Sequence, residues 1–333
     1  MSLQFKLPRK TRVAKKHIMV LSGKGGVGKS FVAVNLALAL RELGYRVGIL
    51  DVDVHGPNVP ILLGATDGAI YADERGMMIP IDVNGIKVMS VRYLLEQGVP
   101  LIRRGVLKSK LISDMVNKTN RGELDYLVID SPPGTGDELL STIENVLVDL
   151  GVVVSTPQRI AMADVERAVG ALRRLDVIPA GVVLNMSYIR CPFCGNKISL
   201  ATIDKERMLE ELKRAMLYNE IERKLLDHRM KKVKVSAKDP KEAKKELDKI
   251  RREMRKDVEK IARELSMLSD VKEIERRLKE YGLELDLSRV EEFDILAEIP
   301  LDVETMKAID AGKPMKVNKE IKEIFLSLAR RLA

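Results

Sequence analysis

The chain has 333 residues, 45% hydrophobic, 32% charged and only 4% aromatic, and its formal net charge is +9. No apolar run approaches the roughly 18–20 residues that span a bilayer, the short run His17–Leu21 after a basic start does not read as a secretory signal, and two cysteines cannot build a disulfide framework. The charge excess is confined to residues 1–16, with six basic and no acidic groups, and 201–290, with 26 basic and 21 acidic, so a cytoplasmic protein with no transmembrane segment and no specific nucleic-acid partner is expected.

Residues 1–16 read as a disordered basic tail. His17–Leu21 is expected to be a strand, Lys29–Leu43 a helix with Val32, Leu36 and Leu40 inward, and Tyr45–Asp51 a second strand. Met78–Val83 and Ile86–Val91 flank Asn84-Gly85, a strong signal for a tight hairpin turn. Tyr126–Asp130, Gly151–Ser155 and Ala180–Asn185 are further apolar strands. Such strands alternating with helices predict an α/β fold whose mostly parallel, doubly wound sheet is covered on both faces.

The texture changes near residue 203, and about half of residues 201–290 are charged. A helix is expected over about Lys205–Met230, with Leu209, Leu212, Met216 and Ile221 on one side. Leu247, Ile250, Met254, Val258, Ile261, Leu265 and Leu268 recur at steps of three and four, a narrow coiled-coil-like seam. Asp239-Pro240-Lys241-Glu242 signals a helix start, and Gly282 the end of a helix over Asp270–Tyr281. The α/β pattern resumes with Phe293–Ile299 and a closing amphipathic helix near Asn318–Leu332. One α/β domain, 17–202 and 291–333, is thus interrupted by a charged helical insertion, 203–290.

Ser22-Gly23-Lys24-Gly25-Gly26-Val27-Gly28-Lys29-Ser30 follows a strand and opens a helix, the context a phosphate-binding P-loop requires. Gly25, Gly26 and Gly28 let backbone N–H groups wrap phosphate oxygens, and the helix N-terminus adds partial positive charge. Lys29 would reach the β- and γ-phosphates of ATP, and the Ser30 hydroxyl would ligate Mg²⁺. Lys24, just after the first glycine, resembles the deviant P-loop of the family that includes chromosome-partitioning and cell-division ATPases and nitrogenase iron protein. That resemblance implies a homodimer in which Lys24 reaches the partner's nucleotide.

Asp51 and Asp53 close the second strand, where carboxylates face the ligand crevice of a doubly wound sheet. Asp51 is placed to hold a magnesium-bound water. Leu127-Val128-Ile129-Asp130 is a Walker-B-like strand whose Asp130 would complete the Mg²⁺ shell, followed by the loop Ser131-Pro132-Pro133-Gly134-Thr135-Gly136-Asp137. By resemblance to the same ATPases, Asp53 orients the attacking water and Asn185 reads the adenine edge.

Both cysteines lie in Cys191-Pro192-Phe193-Cys194-Gly195. The pair can be a redox dithiol, half a zinc site or half an iron–sulfur site, and the last two need four ligands, which a two-fold dimer supplies. Asn185-Met186-Ser187-Tyr188, the CPFCG pair, the Asp130–Asp137 loop, Asp53–Asn58 and Ile299-Pro300-Leu301-Asp302 together resemble the Mrp/ApbC family of ATP-binding iron–sulfur cluster carriers. The resemblance implies slow ATP hydrolysis and a bridging [4Fe–4S] cluster, held by Cys191 and Cys194 of two subunits and passed to apo iron–sulfur proteins. Zinc in its place, or a DNA- or membrane-binding spatial organiser supported by the basic tail and closing helix, are the alternatives. The family's short glycine-rich stretch after CPFCG is replaced here by the helical insertion, for which a docking partner is expected.

Overall fold

Short runs of branched aliphatic residues, buried on both faces, assemble into an eight-stranded sheet. The computed structural model describes residues 11–54, 56–94, 105–134, 137–232, 257–258, 260–261, 264–265, 271–281, 283, 287–310 and 317–333. They fall into two compact units, one of residues 1–205 and 294–333, the other of 206–293.

In the first unit the strands are β1 (Lys16–Leu21), β2 (Val47–Asp51), β3 (Tyr71–Ala72), β4 (Met78–Ile79), β5 (Ile81–Val83), β6 (Ile86–Ser90), β7 (Tyr126–Asp130), β8 (Leu150–Ser155), β9 (Ile178–Leu184), β10 (Tyr188–Arg190), β11 (Lys197–Ser199) and β12 (Asp294–Glu298). The main sheet runs β12-β9-β8-β1-β7-β2-β6-β5, parallel throughout except for the edge strand β5. Asp130 lies in register with Val20 on one side and Asp51 on the other. The loops after β1, β2 and β7 therefore leave the sheet at one edge, the crevice where doubly wound sheets bind ligands.

The helices of this unit are α1 (Lys29–Glu42), α2 (Val59–Leu63), α3 (Gly105–Asn117), α4 (Asp137–Asn145) and α5 (Met162–Arg174). In the second unit, α6 (Lys205–Lys232, beginning at the boundary), α7 (Val271–Glu280) and α8 (Ser288–Glu291) follow, and α9 (Val303–Asp310) and α10 (Lys319–Leu332) return to the first. The Asn318 side chain caps α10 by accepting from the Ile321 N–H at 2.9 Å. Ile321, Phe325 and Leu328 of α10 are buried, and Phe325 meets Phe31 of α1 edge to face at 5.9 Å between ring centres. The apolar stripe of the closing helix is therefore core, not a membrane foot. None of the described helices is long and apolar enough to cross a membrane.

Two expectations need correction. Residues 11–16, read as part of a disordered tail, are docked. Arg12 pairs with Asp149 at 2.7 Å, Lys15 with Asp125 at 2.9 Å, the Thr11 N–H donates to Asn145 O at 3.3 Å, and β1 begins at Lys16. Buried His17 holds the turn through Nε2, which accepts from the Val13 and Ala14 N–H groups at 3.2 Å each. The expected strand Met78–Val83 is split at Pro80, which lacks an N–H, so β4 pairs with β3 while β5 forms the hairpin with β6. The hairpin turn is as expected, with Asn84 and Gly85 both left-handed at φ 53° and 79°.

In the second unit, Ile221, Val258, Ile261, Leu265, Ile274, Leu278, Leu283 and Leu287 form a separate hydrophobic core. Leu247, Ile250, Met254 and Leu268 of the predicted seam, the start signal 239–242 and Gly282 lie outside the described residues.

Candidate functional site

The loop from Ser22 to Ser30 joins β1 to α1 and lines a cleft of about 710 Å³ with Gly25, Gly26, Gly28, Lys29, Ser30 and Asp53. That volume suits a nucleotide-sized ligand. Gly28, at φ 84°, is the N-cap of α1 and offers no side-chain cap, leaving the first N–H groups of the helix for an anion. A Cβ on Gly28 would fall 2.1 Å from the Asn185 amide nitrogen, and one on Gly23 would fall 2.1 Å from the Asp164 carbonyl oxygen. Glycine is needed at both positions for close approach.

Lys29 is buried, with Nζ 2.5 Å from Asp130 Oδ1 and 3.7 Å from Asp53 Oδ2. The Ser30 hydroxyl is among the groups that favour the Asp130 carboxylate. Asp130 Oδ2 is buried and accepts no hydrogen bond from the described residues. An orphaned carboxylate oxygen beside a hydroxyl fits a hard cation such as Mg²⁺, which takes one or two protein ligands and fills its shell with water and phosphate. Among the described residues, no group of three or more His, Cys, Asp or Glu is arranged to hold a metal ion.

Asp51 is set behind this group. Its Oδ2 accepts from Ser90 Oγ at 2.8 Å and its Oδ1 from the Asp53 N–H at 3.2 Å, so its carboxyl braces the strand ends and does not line the cleft. Burial pushes the Asp51 carboxyl well above the ordinary carboxylate range, and the neighbouring Asp130 charge adds to it. Burial also raises Asp130, against the opposing pull of Lys29. Ser90 was not anticipated, and the only signal for it is its register opposite Asp51.

Asn185 follows β9 but is not among the residues that line the cleft. Its Nδ2 donates to the Val27 carbonyl at 2.9 Å, and Met186, left-handed at φ 54°, lines the cleft instead. The Lys24 side chain is partly exposed, with Nζ 4.0 Å from Asp164 Oδ2 on α5, and it is not among the residues that line the cleft. Pro133 lines the cleft, and the Gly134 N–H donates to Ser22 O at 2.9 Å; Thr135 and Gly136 lie outside the described residues.

The two thiols sit on a separate hairpin of β10 and β11. The Cys191 N–H donates to Asn196 O at 2.9 Å and the Gly195 N–H to Cys191 O at 2.9 Å, closing a tight knuckle with Gly195 at φ 71°. Backbone N–H groups of Cys194 and Phe193 point at the Cys191 sulfur and lower its pKa, favouring the thiolate that binds metals. Cys194 is exposed, Cys191 is partly exposed and Phe193 is 97% exposed, so the knuckle lies at the surface of the unit. Arg190 anchors the hairpin: its guanidinium donates to Glu320 of α10 and, through Nη1, to Gly195 O at 2.9 Å, while the Tyr188 hydroxyl donates to Glu320 at 2.7 Å.

A cleft with P-loop geometry, together with a CxxC knuckle on the same unit, matches one sequence family. The profile of the NUBPL iron-transfer P-loop NTPases, of the ParA group, aligns with residues 13–265. The chain belongs to this family. An iron-sulfur cluster carrier protein of Pyrococcus horikoshii is 44% identical over 208 residues, which cover 60% of this chain and 70% of that relative. Among solved structures, a nucleotide-binding protein from Archaeoglobus fulgidus in complex with ADP superposes at a TM-score of 0.58 with 27% identity, covering 94% of this chain and 92% of the other. The septum site-determining protein MinD of P. horikoshii, complexed with Mg-ADP, gives 0.53 at 17% identity with 95% of each chain covered, a likeness of fold alone. The fold is thus an α/β P-loop NTPase of the MinD/ParA type with a mostly parallel sheet.

Proposed function

We propose that this NTPase carries an iron–sulfur cluster as cargo between apo-proteins, and that two subunits share one [4Fe–4S] cluster through Cys191 and Cys194 of each. The observation that carries the proposal is the knuckle itself: an exposed Cys194 and a partly exposed Cys191 three residues apart at the tip of one hairpin, on a chain that holds no other cysteine. Two thiolates leave such a cluster half-ligated, and a two-fold partner completes it. The carrier proteins to which the chain is 44% identical support the same reading.

On this proposal ATP lies in the cleft with its phosphates against the N–H groups of Gly25–Ser30. Lys29, already among carboxylates, turns its ammonium to the β- and γ-phosphates. Bound beside Asp130 and Ser30, Mg²⁺ would neutralise charge developing on the phosphates. Asp53, at the cleft wall, orients the attacking water. Lys24, whose ammonium lies 4.0 Å from Asp164 Oδ2, extends across a two-fold interface to the partner's nucleotide. A cytoplasmic setting suits exposed thiols, which oxidising compartments convert to disulfides.

Anaerobic reconstitution with iron and sulfide, followed by visible absorbance and metal analysis, tests the proposal. Wild type is expected to take up about four iron and four sulfide per dimer and to gain a broad visible absorbance, and Cys191→Ala to take up none. Tightly bound zinc with no iron uptake overturns the carrier reading and leaves a zinc-bridged ATPase.

A further inference from the structure

The run from Asn185 to Arg190 connects the two sites directly. At its near end, the Asn185 amide is bonded to Val27 O of the P-loop, and the next residue, Met186, forms part of the cleft wall. Met186 is a non-glycine residue in the sparsely populated left-handed region, a conformation that persists only while its surroundings hold it there.

From Ser187 onward the run is hydrogen-bonded to its neighbours. The Ser187 N–H donates to Ile299 O at 2.9 Å and the Leu301 N–H to Tyr188 O at 2.8 Å. The segment after Leu301 leads into α9, whose Ile309 lines the same cleft. At the far end, Tyr188 and Arg190 both converge on Glu320, and Arg190 also holds the carbonyl of Gly195, the last residue of the knuckle. The hairpin, the 299–310 segment and the start of α10 therefore form one hydrogen-bonded body. It touches the cleft at Met186 and Ile309 and carries the thiols at its other end.

Resting on the reading of the cleft as a nucleotide site and of the thiols as cargo ligands, we propose that this body couples them. Asn185 and Glu320 are its positioning residues, and Met186 is the hinge through which a nucleotide in the cleft changes the exposure of the thiols. Coupling of this kind is reciprocal: a metal on the thiols alters nucleotide affinity by the same factor that the nucleotide alters metal affinity.

The test uses the metal-free full chain. The alkylation rates of Cys191 and Cys194 by iodoacetamide are followed by mass spectrometry with and without Mg-ADP, and ADP affinity is measured by calorimetry. In wild type, saturating ADP is expected to change the Cys191 rate by about fivefold or more, within the usual range of site-to-site coupling. Glu320→Ala keeps ADP affinity within about twofold while its thiol response falls below about twofold. Glu320→Gln, which keeps an acceptor for Tyr188 and Arg190, retains most of the response. Arg190→Ala opens the same clamp from the hairpin side and is expected to match Glu320→Ala.

Wild-type thiols blind to bound ADP overturn the coupling, as does a full response in both Glu320→Ala and Arg190→Ala. The two readings fail separately. A chain with an ADP response that loads no iron keeps the coupling and loses the carrier function, and a chain that loads a cluster with ADP-blind thiols does the reverse.

Discussion

Replacing Lys29 with Met removes the only described ammonium within 4.0 Å of Asp53 or Asp130 while keeping most of the aliphatic stem. Asp130 then has one oxygen bonded by Ser30 at most and another, Oδ2, with no partner among the described residues, next to the fully buried Asp51. Breaking a buried pair by deleting one partner costs about 3–5 kcal/mol. For a domain of this size, that is a fall in melting temperature of roughly 6–20 °C. Circular dichroism is the appropriate probe because the chain has no Trp.

The sign with pH follows from the raised carboxyls. Asp51 and Asp130 lie above their ordinary value of 3.8 in the fold, so their contribution is complete below 3.8 and is lost as pH rises through the folded value. Without Lys29 that value rises further, and the deficit of Lys29→Met grows from pH 5 to pH 8. The double variant Lys29→Met/Asp130→Asn, which removes the Asp130 charge together with its partner, is expected to recover at least half of the loss. Melting within about 2 °C of wild type at pH 8, which corresponds to less than about 1 kcal/mol, or a deficit larger at pH 5, would refute this account of the cleft.

Asp53→Ala is expected to bind ATP within about threefold of wild type but to hydrolyse it about 100-fold more slowly, and unchanged turnover in a phosphate-release assay removes Asp53 from the mechanism. Lys24→Ala should bind ATP as a monomer yet lose ATP-dependent dimerisation in sedimentation velocity, and dimers of normal stability would sink the cross-subunit role. Gly28→Ala pushes a methyl to within 2.1 Å of the Asn185 amide and forces a left-handed alanine, so nucleotide titration should show at least a tenfold loss of affinity, about 1.4 kcal/mol. Burial lowers the His17 pKa to about 4, with the nearby Asp149 opposing. Because its folded value is depressed, stability is present above 6.5 and falls as pH drops from 6.5 toward 4, by at most about 1.4 kcal/mol per pH unit. His17→Gln should flatten the melting temperature over that range, and an unchanged slope would show that His17 does not set it.

The P-loop, the aspartates at the ends of β2 and β7 and the CxxC pair are legible in the sequence because each rests on residues close together in the chain, where spacing alone fixes the local backbone. The Asn84-Gly85 turn and the N-cap of α10 are readable for the same reason. The tertiary structure alone decided which way the polar side chains turn. Asn185 spends its amide on Val27, 158 residues away, and Asp51 its oxygens on Ser90 and Asp53. Asp130 keeps one oxygen without a partner among the described residues, residues 11–16 are pinned by Asp125 and Asp149, and the thiol hairpin is tied to Glu320, 130 residues from Arg190. A buried polar group must find its partner wherever the chain brings one. Hydrophobic periodicity reports which face of an element is buried, but it carries no information on which distant donor or acceptor will meet that face.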